Sequence, residues 1–208
     1  MKASLIIVGF FVLGCLLSWT LKLYDITIET DITIYVLYLL IFSVGVGIGS
    51  DKKLKEILGR IRPQLLWIPL ATIVGTLSFS ALVSLFISKW SVYDCLAVGS
   101  GFAYYSLSSI LITELKTPVL GEQLATELGT IALMANILRE LFVLLGTPIL
   151  VKYIGKLAPI CAGGATTMDT TLPIITRYSG QDMVFVSIFH AVLVDLSVPF
   201  LVTFFCSL

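Results

Sequence analysis

The sequence predicts an all-α polytopic membrane protein with five long transmembrane helices and two broken or re-entrant segments, as in transporters. The chain has 208 residues, of which 58% are hydrophobic and only 12% charged, whereas a soluble domain carries about a quarter charged residues. Its apolar residues gather in runs close to the ~20 residues that span a bilayer. Two further apolar stretches are interrupted by Gly, Ser, Thr and Pro. One transmembrane domain over 1–208 is expected at this length.

The long apolar segments lie at 3–23, 32–49, 64–88, 122–153 and 181–208. The first of them follows Lys2 and contains a faint lipoprotein cleavage pattern that ends at Cys15. Its apolar run continues past Cys15 to Leu23, so we expect a retained helix rather than a removed signal. The segment at 122–153 differs from the others because polar residues stand in its middle.

The distribution of basic residues predicts the orientation, because short loops rich in Lys and Arg stay in the cytoplasm. The 50–62 loop holds five bases, whereas the 24–31 loop holds three acids and no base. The N-terminus and the 50–62 loop are therefore expected in the cytoplasm and the C-terminus outside. Seven passes result if both interrupted stretches cross, and five if both re-enter. Five passes would place Lys152 and Lys156 in the cytoplasm, which favours re-entrant segments.

The two interrupted stretches lie at 95–113 and 158–177 and carry candidate binding residues. Tyr105, Ser106 and Ser108 follow a Gly-Ser-Gly sequence in the first stretch, and hydroxyl residues flank Asp169 in the second. Non-helical backbone at membrane depth is tolerated only where protein or a water-filled cavity satisfies it. Transporters use such breaks to aim helix ends at ions and substrates. The alternative interpretation is tight helix packing through glycine.

Charged residues inside apolar segments are the strongest functional candidates. A carboxylate such as Asp169 near the bilayer centre costs about 2.5–3.5 kcal/mol on insertion scales. In the segment at 122–153, helical spacing places Asn136 and Glu140 on one stripe with Gly129 and Ala132. We expect Arg139 to meet a carboxylate on another helix, either Asp169 or Asp195. The alternative for Arg139 is a static ion pair between helices.

Several other functions find no support in the sequence. A net charge of zero opposes nucleic-acid binding, and no enzyme motif or C-x-x-C pair is present. We therefore predict no enzyme activity, no metal and no cofactor. The single histidine, His190, is interpreted as a hydrogen-bonded packing residue, with proton relay as the alternative.

Several motifs together resemble the LysO family of bacterial L-lysine exporters over nearly the whole chain. They are GFAYYSLS at 101–108, LITE at 111–114, LREL at 138–141, GGATTMDTTLP at 163–173 and DMV at 182–184. The resemblance implies an inner-membrane exporter of L-lysine and of its analogue thialysine, in which the acids matching Glu140 and Asp169 are essential. Single-chain members begin with a further block of about three spans, which this sequence lacks. A homodimer, a small companion membrane subunit or a different substrate would each account for that departure.

The expected mechanism is proton-coupled antiport by alternating access. Two carboxylates can meet the two ammonium groups of lysine, and a helix N-terminus can meet its carboxylate. Because burial disfavours the charged form of a carboxylate, Glu140 or Asp169 would bind a proton when no cation is present. The alternatives are a non-transporting membrane subunit that scaffolds or regulates a partner, and an exporter of another small amino acid. The candidate substrate- and proton-binding residues are Tyr105, Ser106, Ser108, Asn136, Arg139, Glu140, Thr166, Thr167, Asp169 and Thr170.

Overall fold

The computed structural model describes residues 63–208 and seven isolated helical positions before them, Leu13, Leu17, Thr20, Tyr35, Leu39, Phe42 and Val46. The chain divides into two units, Met1–Leu40 and Ile41–Leu208, and all of the following concerns residues 63–208 of the second unit. The spans predicted at 3–23 and 32–49, the 50–62 loop and Cys15 lie outside the described residues. The prediction of one domain over 1–208 stays a prediction.

Seven α-helices make up the described part of the chain. They are α1 (Trp67–Ser84), α2 (Val92–Gly99), α3 (Tyr105–Leu120), α4 (Glu122–Tyr153), α5 (Ala158–Gly163), α6 (Leu172–Ser179) and α7 (Val184–Cys206). Three short 3₁₀ helices accompany them in this part of the chain: Pro63–Leu66 precedes α1, Gly164–Met168 follows α5, and Gln181–Met183 precedes α7.

Three helical stretches are long and apolar enough to cross a membrane, at Gln64–Ser84, Glu122–Tyr153 and Gln181–Cys206. These correspond to three of the five predicted long segments, although the first ends four residues earlier than 88. The residues of α7 are the most buried of the three, and α7 contacts α1, α2, α3, α5 and α6. The described part is thus a helical membrane protein, with α7 packed among the other helices.

The first interrupted stretch folds as a hairpin, hairpin one, in which α2 and α3 are separated by a break at 100–104. Ser91 begins α2 with a capping box, in which its hydroxyl accepts from the Asp94 N–H at 3.1 Å. The carboxylate of Asp94 also lies 3.0 Å from Lys116 Nζ near the end of α3, and both side chains are buried. The two ends of hairpin one are therefore held together.

The second interrupted stretch forms hairpin two, which contains α5, a break at 164–171 and α6. Lys156, just before α5, lies 3.3 Å from Asp182, just after α6, and this ion pair is exposed. The beginning and the end of hairpin two therefore also lie close together.

The hairpins enter from opposite ends of α4, which at 32 residues is about 48 Å long. Lys89, just before hairpin one, pairs with Glu127 near the start of α4. Lys156 follows the end of α4. The sequence left open whether these stretches cross or re-enter. In the structure the two ends of each hairpin lie close together, and re-entry into the membrane stays a prediction.

Candidate functional site

The breaks of the two hairpins meet each other. The N–H of Ala165 in hairpin two donates to the carbonyl of Phe102 in hairpin one at 2.9 Å. Gly164 has a φ of +61°, and a Cβ at this position would run into the Phe102 carbonyl. Only glycine fits both the left-handed backbone and this close approach, so Gly164 of the GGATTMDTTLP motif serves the contact between the breaks.

The break of hairpin one has an unusual backbone that Asn136 supports. Phe102 and Ala103 have φ values of +42° and +72°, a conformation that is costly for residues with a Cβ. The Ala103 N–H donates to Asn136 Oδ1 at 2.7 Å. The amide nitrogen of Asn136 donates to Ala132 O at 2.8 Å and to Ser108 Oγ at 3.3 Å. Asn136 is buried near the middle of α4, so the first break is fixed at mid-length of that helix.

Arg139 holds the second break from the next turn of α4. Its Nε donates to Ala162 O at 2.7 Å and its Nη2 to Cys161 O at 3.2 Å, while the guanidinium stands 5.7 Å from the centre of the Phe102 ring. The prediction that Arg139 meets Asp169 or Asp195 is wrong. The last carbonyls of a helix lack helical partners and carry partial negative charge, and in the short helix α5 they take the place of a carboxylate.

The hydroxyl groups of the second break are largely used within the protein. Thr167 Oγ1 donates to Gly164 O at 2.8 Å and to Ser187 O at 3.2 Å, and Ser187 Oγ donates back to Thr167 O at 2.7 Å. Thr166 Oγ1 donates to Gly163 O at 2.9 Å. These bonds join the break to α7 and give it a defined shape.

A cavity of about 210 Å³ lies where the breaks meet. Five of the ten predicted site residues line it, namely Tyr105, Ser106, Thr166, Asp169 and Thr170, together with Ala103, Tyr104, Ala165, Met168 and Asp195. The other predicted residues that the structure places nearby, Ser108, Asn136, Arg139 and Thr167, shape the backbone of the breaks instead. The sequence motifs therefore divide into residues that line the cavity and residues that hold its walls.

Two acids and one helix end define the electrostatics of this cavity. Asp169 is exposed, and its Oδ1 accepts from the Thr170 N–H at 2.5 Å. Asp195 is buried, with only 6% of its surface exposed. The first turn of α3 begins at Tyr105 beside the cavity, and no side chain caps it. The free N–H groups of such a turn favour an anionic group. The cavity thus offers negative charge for cations and a helix N-terminus for a carboxylate.

Glu140 lines neither of the two cavities described here. The predicted stripe on α4 is nevertheless buried at Gly129, Ala132 and Asn136. A Cβ at Gly129 would run into the hydroxyl of Thr113, so the stripe lets α3 approach α4 closely. That Glu140 and Asp169 share one cavity stays a prediction.

A larger cavity of about 700 Å³ lies among α1, α2, α4 and α5 and is mainly apolar. Asn136, Arg139 and Thr72 are among the polar residues that line it. Thr72 Oγ1 lies 2.9 Å from Nε2 of His190, which is fully buried. His190 therefore hydrogen-bonds between α7 and α1, as the packing interpretation predicted.

Sequence reasoning missed two charged features. Asp195 was considered as a partner for Arg139 and not as a site residue, although it is the only acid in α7. The Asp94–Lys116 pair was not recognised, although Asp94 is the only charged residue of α2. Within residues 63–208, no group of three or more His, Cys, Asp and Glu side chains is placed to hold a metal.

The described part is therefore a helical membrane protein. Its two hairpins start at opposite ends of α4 and meet at their breaks, an arrangement typical of secondary transporters. Comparison with known proteins identifies the family. The family model of the lysine exporter LysO matches residues 8–206, and the chain belongs to this family.

Two relatives illustrate the range of chain lengths. The chain is 35% identical to "Lysine exporter LysO" of Escherichia coli over 178 residues, which is 85% of this chain and 55% of that protein. It is 30% identical over 199 residues to a Haemophilus influenzae protein named as a candidate lysine exporter, covering 94% of both chains. The chain thus spans about half the length of the first relative and nearly all of the second. No solved structure matches the chain.

Proposed function

We propose that this protein exports L-lysine, and lysine analogues such as thialysine, across the bacterial inner membrane by alternating access. The observation that carries the proposal is the 210 Å³ cavity between the two breaks, which holds Asp169 and borders the N-terminus of α3. Membership of the family and the names of the two relatives support lysine as the substrate. Broken helices that meet near mid-length of a spanning helix are where transporters bind their substrates.

We propose further that export is coupled to inward proton movement, so that the protein is an antiporter. A carboxylate withdrawn from water is more stable neutral than charged when no cation is near. Asp169 is exposed and Glu140 half-buried in this structure, so the proposal requires the site to close before either acid takes up a proton. Proton and lysine would then compete for Asp169 or Glu140, and exposure of the site first to one membrane face and then to the other would exchange them. Movement of the hairpins relative to α4 and α7 is the proposed origin of this alternation.

The proposed orientation has the N-terminus in the cytoplasm and the C-terminus outside. Hairpin one would then enter from outside and hairpin two from the cytoplasm. Single cysteines replacing Lys89 and Lys156 should therefore react with an impermeant thiol reagent from opposite faces of the membrane. Reaction of both positions from one face would contradict the two-sided arrangement of the hairpins.

We propose a homodimer or a small companion membrane subunit as the partner in the bilayer. The support is the difference in length between the two relatives, of which the chain covers 55% and 94%. Cross-linking in native membranes, followed by mass measurement, would distinguish a second copy from a companion subunit.

The test of the function is lysine efflux from loaded proteoliposomes with and without an imposed inward proton gradient. The wild type should release lysine faster with the gradient, and Glu140→Gln and Asp169→Asn should abolish the stimulation. Glu127→Gln, a matched change at an exposed position of α4, is the control and should behave as the wild type. Flux that ignores the gradient and survives both substitutions would contradict the coupling.

A non-transporting membrane subunit is the second candidate. The larger apolar cavity beside α1 would suit such a role, since it could receive a helix of a partner. The two acids of the smaller cavity oppose it, because a scaffold gains nothing from charges at membrane depth. Export of another small amino acid would be revealed by counterflow with a panel of labelled amino acids.

A further inference from the structure

We infer that Asp195 is a second substrate-binding carboxylate, which together with Asp169 and the N-terminus of α3 forms a three-point site for a dibasic amino acid. This inference rests on the proposed function and deepens it. It differs from the sequence-based expectation, in which Glu140 was the partner of Asp169.

The first argument is the burial of Asp195 without a protein partner. Its side chain is 6% exposed and lines the 210 Å³ cavity. Among residues 63–208 it takes part in no hydrogen bond or ion pair, unlike the other buried acid, Asp94, which pairs with Lys116 and caps α2. Buried charges are normally paired because burial of an unpaired charge is costly. A carboxylate that faces a cavity instead of a protein cation is therefore suited to a cationic ligand.

The second argument is the position of Asp195 relative to the other polar groups of the cavity. Asp195 stands in the middle of α7, whereas Asp169 belongs to hairpin two and Tyr105 begins α3 in hairpin one. All three line the same cavity. A ligand bound to all three would contact both hairpins and one spanning helix at once. Binding of such a ligand would link the two hairpins to each other and to α7. Alternating access requires a link of this kind, because both hairpins must respond to the bound substrate.

The third argument is chemical complementarity. Lysine carries two ammonium groups and one carboxylate, and the cavity presents two carboxylates and one uncapped helix N-terminus. Anionic groups bind helix N-termini, and charge-assisted hydrogen bonds are the stronger ones. The cavity volume, about 210 Å³, is below the ~300 Å³ of typical drug-sized sites. A single amino acid is thus the appropriate size of ligand.

Direct binding of lysine to purified full-length protein tests the inference, with Kd measured by calorimetry. We expect Asp195→Asn to weaken lysine binding at least about tenfold, while Asp195→Glu, which keeps the charge, stays within about fivefold of the wild type. Asp182→Asn is the matched control because Asp182 is exposed at the end of hairpin two, and its Kd should be unchanged. The wild type should bind norleucine, which lacks the side-chain ammonium, and cadaverine, which lacks the carboxylate, at least about tenfold more weakly than lysine.

A measurement on the unmodified chain covers the case in which Asp195→Asn does not fold. A hydrophobic carbodiimide reacts with buried carboxyl groups, and mass spectrometry of peptides locates the adduct. Lysine should slow the modification of Asp195, the buried acid of the cavity, several-fold, whereas cadaverine and norleucine should protect less. Equal rates with and without lysine, or a Kd for Asp195→Asn within twofold of the wild type, would overturn the inference while leaving lysine export intact. A wild type that neither binds nor moves lysine would instead refute the proposed function.

Discussion

Replacement of Asn136 by alanine tests how the first break is held. The Ala103 N–H would lose its acceptor at 2.7 Å in a buried environment, and an unsatisfied buried donor costs about 1–3 kcal/mol. The longer bond from Asn136 to Ser108, at 3.3 Å, adds about 0.5–1 kcal/mol. The left-handed backbone at Ala103 also loses its support. We expect a total loss of stability of about 2–4 kcal/mol, from the sum of these terms.

The assay is thermal unfolding of the purified protein in detergent. A loss of this size should lower Tm by about 4–16 °C, since 1 kcal/mol corresponds to about 2–4 °C at this chain length. Thr130→Ala is the matched control on the same helix, because its hydroxyl donates to the Thr126 carbonyl at an exposed position. It should change stability by less than about 0.5 kcal/mol. A Tm for Asn136→Ala within 2 °C of the wild type would refute the view that Asn136 fixes the break.

Three further predictions concern the hairpins. Gly164→Ala should destabilise more than Gly121→Ala, because both positions have positive φ but only Gly164 abuts the carbonyl of the other break; equal losses of Tm would contradict a tight contact. Lys116→Met should cost about 3–5 kcal/mol by leaving Asp94 buried without its cation, and the additional change Asp94→Asn should recover most of it, as a double-mutant cycle would show. Lys156→Gln should cost no more than about 1 kcal/mol in the same assay because its ion pair is exposed.

The breaks could be predicted from sequence because their causes are local. Gly and hydroxyl residues at 99–109 and 162–171 are unsuited to a lipid-facing helix, and the structure interrupts both stretches at 100–104 and 164–171. The small-residue stripe of α4 was likewise readable from helical periodicity. Local composition therefore predicts the position of the two breaks whose residues line the cavity.

The partners across the breaks could not be predicted, because they depend on how the elements pack. Arg139 was expected to find a carboxylate, but its guanidinium caps the carbonyl end of α5, a helix of only six residues that the sequence does not delimit. Asp195 was not assigned to the site because α7 is apolar around its whole circumference. Without amphipathic periodicity, nothing in the sequence indicates which face of α7 meets Asp169.

Counterflow of labelled lysine tests the central claim that the cavity between the breaks carries the substrate. Proteoliposomes loaded with unlabelled lysine and containing the wild type should transiently accumulate labelled lysine above its external concentration. Asp169→Asn should reduce the initial rate at least about tenfold, since a charge-assisted bond to the substrate is lost, while Asp182→Asn should match the wild type. Equal counterflow by the wild type and Asp169→Asn, or none by the wild type, would contradict the account.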